Sequence, residues 1–218
     1  MKATIHNLII VDESGSMSII RQQAFAGMNE TLQTIKTMAE QDPDMDQRVT
    51  LLTFDSDHTR FHYHNAEGTA VVPLQSKDYN PGGATPLYDA IGQGIAKVNA
   101  LVKEGDTVLT TIITDGEENC SREYSLKMVK NLIDKLKKQG WTFTLIGTDD
   151  LDVEGMAGGM GIRHSMAFAR NEEQACKMFE EERKSRRKFY DRVKCYMAAP
   201  TSENVLNEDE DFFDKKHV

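Results

Sequence analysis

Five oxygen-bearing side chains, set in three separate stretches, are the residues in this chain best suited to do chemistry. Asp12, Ser14 and Ser16 form a DxSxS pattern, Thr85 lies in the run Pro81-Gly82-Gly83-Ala84-Thr85-Pro86, and Asp115 stands in Thr114-Asp115-Gly116. A donor set made only of oxygens suits a hard cation, and magnesium takes near-octahedral oxygen ligation while keeping several waters. Two carboxylates and three neutral hydroxyls leave such an ion at most charge-balanced, so it can recruit an acidic group from a partner. Taken singly, each stretch is also ordinary helix-cap or turn chemistry.

The elements around these residues must bring them together. The run Leu8-Ile9-Ile10-Val11 has the continuous apolar character of a strand buried on both faces, and it stops at Asp12. Apolar residues from Ile19 to Met38 recur at three and four, as on one face of a helix. Val49 to Phe54 reads as a strand, turning through Asp55 to Thr59 into a short antiparallel partner at Arg60 to Tyr63. Pro86 opens a helix to about Val102, and Thr107 to Thr114 is a second buried strand, stopping at Asp115. A helix at about Arg122 to Lys138, a strand at Thr142 to Ile146, the glycine-rich stretch Gly155 to Gly161 and a strand near Ser165 to Phe168 follow. This alternation predicts an α/β sandwich with helices on both faces of a mixed sheet. Ligands of open α/β sheets bind beyond the carboxyl ends of the strands, where the three stretches are expected to converge.

Three motifs in order, VDESGSM at 11–17, GATPL at 83–87 and TDGE at 114–117, resemble the von Willebrand factor type A domain and its metal-ion-dependent adhesion site. The resemblance covers about residues 1–195 and implies a three-layer α/β/α, Rossmann-like fold, with a mostly parallel sheet and one antiparallel edge strand. It implies that Ser14 and Ser16 coordinate the ion directly, and Asp12, Thr85 and Asp115 directly or through water. The implied ion is Mg2+, with Mn2+ as an alternative, completed by an exposed Asp or Glu of a protein ligand. The wording ATPLYDAI and TDGEEN is similar to small intracellular bacterial members, including those associated with tellurite-resistance systems. The expectation is a non-enzymatic protein-interaction module with no catalytic residues.

Two other classes compete. A magnesium-dependent phosphatase would also place an Asp after the first strand, but the haloacid-dehalogenase pattern needs a second carboxylate where Ser14 stands. There is no GxxxxGK[ST] and no GxSxG, and no histidine adjoins the three motifs. A structural assembly subunit is the third class, and the sequence leaves oligomeric state and partner identity open. The length of 218 residues predicts one domain, and a net charge of −9 argues against nucleic acid. With no membrane-length apolar run, no signal-peptide core and three scattered cysteines, a cytoplasmic protein with reduced thiols is expected.

Other groups carry weaker signals. His58, His62 and His64, with Asp55 and Asp57 nearby, could face one way on a strand and hold zinc, although the turn is expected to break their register. Glu13, Glu117 and Glu118 are expected to ring the main site as solvated charge. The all-polar stretch Glu180 to Lys188, with the basic run Arg183, Lys184, Arg186, Arg187 and Lys188, predicts a helix that runs past the body with a solvated basic face. Residues 196–218 form an acidic tail expected to be disordered when alone, with Phe212 and Phe213 as a candidate docking peptide.

Overall fold

Strand β1 (Ala3–Asp12) is central because its apolar run Leu8-Ile9-Ile10-Val11 faces both sides of the sheet and must be covered on both. The computed structural model describes residues 3–198 and 211–213. After β1 come a 3₁₀ turn (Gly15–Ile20), α1 (Arg21–Gln41), β2 (Met45–Phe54), β3 (Thr59–Glu67) and α2 (Leu87–Asn99). Then follow β4 (Thr107–Ile113), α3 (Leu126–Lys137), β5 (Trp141–Thr148), α4 (Val153–Met160), β6 (His164–Phe168) and α5 (Glu172–Ala198). The sheet order is β3-β2-β1-β4-β5-β6, with β3 antiparallel to β2 at one edge and every other pairing parallel. This is the three-layer architecture expected, with its one antiparallel edge strand.

Alternation along the strands splits the core in two. Ile5, Ile9 and Val11 of β1 and Leu109 and Ile113 of β4 pack with α1 and α5. Leu8 and Ile10 of β1 and Val108 and Ile112 of β4 pack with α2, α3 and α4. All parallel strands therefore end on the same side, and β1 and β4, adjacent in the sheet, deliver Asp12 and Asp115 to one crevice.

Helix α5 corrects the expectation that its polar middle runs past the body. Glu182, Ser185 and Arg186 are buried, Arg186 completely. The Arg186 guanidinium donates to Glu182 Oε1 at 2.6 and 2.9 Å, to Asn7 Oδ1 at 2.8 Å and to Thr111 Oγ1 at 2.9 Å. The Tyr190 hydroxyl also donates to Asn7, whose amide donates to Gln47 Oε1 at 2.9 Å. Asn7 and Thr111 sit on the α5 face of the sheet, so a buried ion pair finds its remaining hydrogen bonds there. The outer residues of the run behave as expected, with Lys184 paired to Glu180 at 2.8 Å on the exposed side.

Strand β3 carries a bulge. Leu51 of β2 opposes Tyr63 and Leu52 opposes Phe61, which leaves His62 as the extra residue. The bulge turns Phe61 and Tyr63 toward opposite cores. Helix α3 begins four residues later than the sequence suggests, because the N–H groups of residues 122–124 are already bound by Asp89 and Ser125 caps the helix. Of the acidic tail, residues 199–210 and 214–218 lie outside the described residues. Phe212 and Phe213 are buried against the α1/α5 core, because two adjacent aromatic rings carry enough apolar area to order a short segment.

Replacing Arg186 by Met leaves Glu182 as an uncompensated buried charge, so Arg186→Met should destabilise the fold by about 3–5 kcal/mol in urea unfolding. The double variant Glu182→Leu/Arg186→Met should recover much of that loss. Equal stability of Arg186→Met and wild type would contradict the buried pairing.

Candidate metal centre

The five predicted residues come together at the carboxyl ends of β1 and β4. Asp12, Ser14, Thr85 and Asp115 are all buried. The Ser16 hydroxyl donates to Asp115 Oδ1 at 2.6 Å and lies 3.1 Å from the Ser14 hydroxyl. Since the proton of Ser16 is committed to Asp115, Ser14 donates to Ser16, and the three residues form a chain ending on a carboxylate. Gly116 leaves a space among them. A Cβ built there would lie 3.0 Å from Thr85 Oγ1, 3.6 Å from Ser16 Oγ and 3.8 Å from Asp12 Oδ2. Oxygens of the first two stretches thus lie close around Gly116 of the third.

Hydrogen bonds fix the loops that carry these oxygens. Asp12 Oδ1 accepts from the Ser14 N–H at 2.7 Å, and Oδ2 accepts from the Thr114 hydroxyl at 2.6 Å. Its carbonyl accepts from the Tyr79 hydroxyl at 2.8 Å. The loop from Asn80 to Gly83 is tied to the first stretch, with the Gly82 N–H on the Glu13 carbonyl at 2.8 Å and the Gly15 N–H on the Gly83 carbonyl at 3.1 Å. Gly83 has φ +68°, and a Cβ there would meet Ser56 Oγ at 2.5 Å, so glycine is required. Thr85 and Asn119 are joined reciprocally: the Thr85 N–H reaches Asn119 Oδ1 at 2.9 Å, and the Asn119 N–H reaches the Thr85 carbonyl at 3.2 Å. These two bonds join the threonine loop to the aspartate loop.

Burial dominates the electrostatics. It pushes Asp12 up to about 6, against the opposing effect of its bonds to Thr114 and Ser14. Asp115 is also raised by burial, with the Ser16 hydroxyl and Arg170 opposing. Asp115 Oδ2 is buried without a hydrogen-bond partner, and its nearest cation is Arg170 Nε at 3.5 Å. A cation among these oxygens would offset the cost of burying two carboxylates. The donor set is oxygen-only and the space is small and polar, so the residues present fit a hard, partly hydrated dication.

Thr114, Tyr79, Asn119 and Arg170 also shape the site, without standing at a candidate ligand position. Thr114 and Asn119 are within the sequence stretch TDGEEN, yet their partners lie far away in the chain. Arg170 follows β6 and donates to the Asp115 carbonyl at 2.5 Å, and it pairs with Asp150 at 3.1 Å. No spacing signal connects it to the cluster.

Two expectations are corrected. Of the three glutamates, only Glu117 is an exposed neighbour. Glu13 is fully buried and accepts from the Asn80 N–H, and Glu118 accepts from the N–H groups of Tyr88, Cys120 and Ser121 and from the Ser121 hydroxyl. Both carboxylates serve as turn-builders, since each reaches N–H groups that a loop leaves unpaired. The three histidines diverge: His58 faces Asp55 at 3.0 Å, the bulged His62 meets Thr53 Oγ1 at 2.9 Å, and His64 stacks edge-on with Phe61. Among the described residues no group of three or more His, Cys, Asp or Glu side chains is arranged to hold a metal ion.

Asp89 holds the aspartate loop by accepting from the N–H groups of Arg122, Glu123 and Tyr124 at 2.7–2.9 Å. Asp89→Ala should lower stability by about 1.5–3 kcal/mol, the range for hydrogen bonds to a charged group, measured by urea unfolding. A loss below about 0.5 kcal/mol would show that the loop does not depend on this anchor.

Known proteins place the fold. The chain resembles the vWF domain of the type V pili tip protein Mfa5 from Porphyromonas gingivalis (TM-score 0.61, 10% identity, 85% of this chain and 95% of that one). It resembles the SpRpn10 VWA domain (TM-score 0.54, 12% identity, 81% and 93%). It also resembles proximal thread matrix protein 1 from the mussel byssus (TM-score 0.58, 14% identity, 82% and 44%), of which it spans less than half the length. At these identities the likeness is one of fold. The chain matches no curated protein in sequence. The family of the von Willebrand factor type A domain matches residues 8–184, the greater part of the sequence, so the chain belongs to that family.

Proposed function

We propose that the cluster binds a divalent cation, Mg2+ or Mn2+, and that the chain is a protein-interaction module whose partner offers an exposed Asp or Glu to that ion. The observation that carries this reading is the convergence on Gly116 of the oxygens of Thr85 from one loop and of Ser16 and Asp12 from another, beside Asp115 Oδ2, which is buried without a hydrogen bond. Asp12, Ser14, Ser16, Thr85 and Asp115 would hold the ion. When bound, a hard dication supplies a Lewis-acidic position for an anionic oxygen. Thr114 and Asn119 keep the oxygens of Asp12 and Thr85 in place, and Arg170 opposes the excess negative charge behind Asp115.

The buried carboxylate of Asp12 has both oxygens engaged and no exposed surface, which argues against its use as a nucleophile and supports a binding role over phosphoryl transfer. The vWF domain of the pili tip protein Mfa5 and the SpRpn10 VWA domain share this fold. The placement among intracellular bacterial members of the family rests on the motif wording. Among the described residues no helix is long and apolar enough to cross a membrane, and Cys176 and Cys195 are exposed free thiols, which fits a reducing compartment.

Calorimetric titration with Mn2+ tests the metal. Thr114→Val, which removes the hydroxyl holding Asp12, should weaken binding about 10–100-fold, as loss of an outer-shell partner does. Gly116→Ala, which places a methyl group in the space, should abolish it. Wild-type chain in Mg2+ should retain a partner from native lysate that neither EDTA nor Ser14→Ala allows. Metal binding unchanged in Thr114→Val and Gly116→Ala would overturn the site, and a partner retained equally in EDTA would overturn the metal-bridged contact.

A further inference from the structure

Strand β6 is the parallel edge of the sheet, and no strand among the described residues pairs with its outer side. His164, its first residue, lies at the end of the sheet away from the candidate metal centre, since the parallel strands bring their carboxyl ends to that centre. Residues 211–213 sit here. Phe212 and Phe213 are 3% and 4% exposed. The Phe212 ring lies 6.1 Å from that of Phe189 on α5 and 6.3 Å from that of His164, and Phe213 meets Phe212 edge-on at 4.9 Å. The Phe212 N–H donates to His164 Nδ1 at 3.3 Å.

These are the parts of a peptide-recognition site: two aromatic anchors in an apolar seat, one backbone hydrogen bond that fixes direction, and complementary charge. The charges acting on His164 are Arg163, Arg192 and Lys137 from the body and Asp211 from the tail, and Asp211 ends the acidic run Glu208-Asp209-Glu210-Asp211. The segment adds neither strand nor helix to the fold, and twelve residues, 199–210, join it to α5.

We propose that the seat between α5 and β6 is a peptide-docking groove for an acidic segment bearing two consecutive phenylalanines, and that residues 211–213 fill it as a ligand tethered in cis. Burial, followed by the neighbouring Arg163, pulls His164 down to about 4, so near neutral pH its ring is uncharged and can accept from the peptide. Because residues 211–213 belong to the same chain as the groove, the segment competes as an intramolecular ligand, and a groove of modest affinity stays filled in cis. A free peptide enters only when the tether is cut or a competing partner binds more tightly. This site is independent of the metal reading.

The test uses the full chain with a protease site placed within 199–210 and cut after folding. The probe is a fluorescein-labelled peptide spanning residues 205–218. The uncut chain should exclude the probe. The cut chain should keep its circular dichroism spectrum, exchange its tail for the probe and bind it at micromolar to submillimolar concentration, and a peptide with both phenylalanines replaced by Ala should compete at least tenfold less well. A body that unfolds on losing the tail, a tail that never exchanges, or a folded cut chain that ignores the probe at about millimolar concentration would each overturn the groove. A concentration-dependent dimer of the uncut chain that disappears in Phe212→Ala/Phe213→Ala would seat a second copy's tail there and overturn the cis assignment.

Discussion

A negative charge buried at the end of the central strand governs this end of the molecule. Asp12 is carried into the interior because the strand before it is apolar on both faces, and an unpaired carboxylate there is costly. The chain answers with the Ser14 N–H on one oxygen and the Thr114 hydroxyl on the other. Thr114 ends the neighbouring strand run, so satisfying Asp12 also places Asp115 beside it. The Tyr79 hydroxyl on the Asp12 carbonyl and the glycine loop on Glu13 and Gly15 then draw the third stretch across the crevice. The reciprocal bonds of Thr85 and Asn119 join that stretch to the aspartate loop. Asp115 Oδ2 is left without a hydrogen bond, with Arg170 Nε 3.5 Å away, and the reading of the crevice as a cation site turns on two buried carboxylates facing one such cation.

The other face of the sheet solves a similar problem with protein groups alone. Arg186 and Glu182 enter the interior as a pair, and Asn7, Thr111 and Tyr190 absorb the remaining donors and acceptors. There the two opposite charges are paired directly, through two hydrogen bonds from Arg186 to Glu182 Oε1. At the crevice the two buried carboxylates, Asp12 and Asp115, have one cation beside them, Arg170, whose Nε stands 3.5 Å from Asp115 Oδ2.

What the sequence made legible follows from local pattern. Leu8 to Val11 announces a buried strand, the turn after Phe54 announces a hairpin, and DxSxS, the threonine loop and Thr-Asp-Gly mark the three loop ends that converge. The parts that stayed hidden depend on pairings between distant residues. Arg186 reads as solvent-facing because polarity is a local property, while its partner Asn7 lies at the start of the chain. Glu13 and Glu118 read as free charge because the N–H groups they bind belong to loops whose path no pattern predicts. The β3 bulge at His62 comes from a register shift against β2, which a period-of-two reading of one strand does not contain. Phe212 and Phe213 stand in an acidic setting that suggests solvation, and their seat exists only once α5 has packed beside β6.

Anomalous scattering from crystals of the full chain grown with Mn2+ tests the cation site most directly. One strong anomalous peak is expected among the side-chain oxygens of Asp12, Ser14, Ser16, Thr85 and Asp115, lost in crystals of Gly116→Ala. A folded wild-type chain with no peak at this crevice, or with its strongest peak at His58 and Asp55 instead, would contradict it.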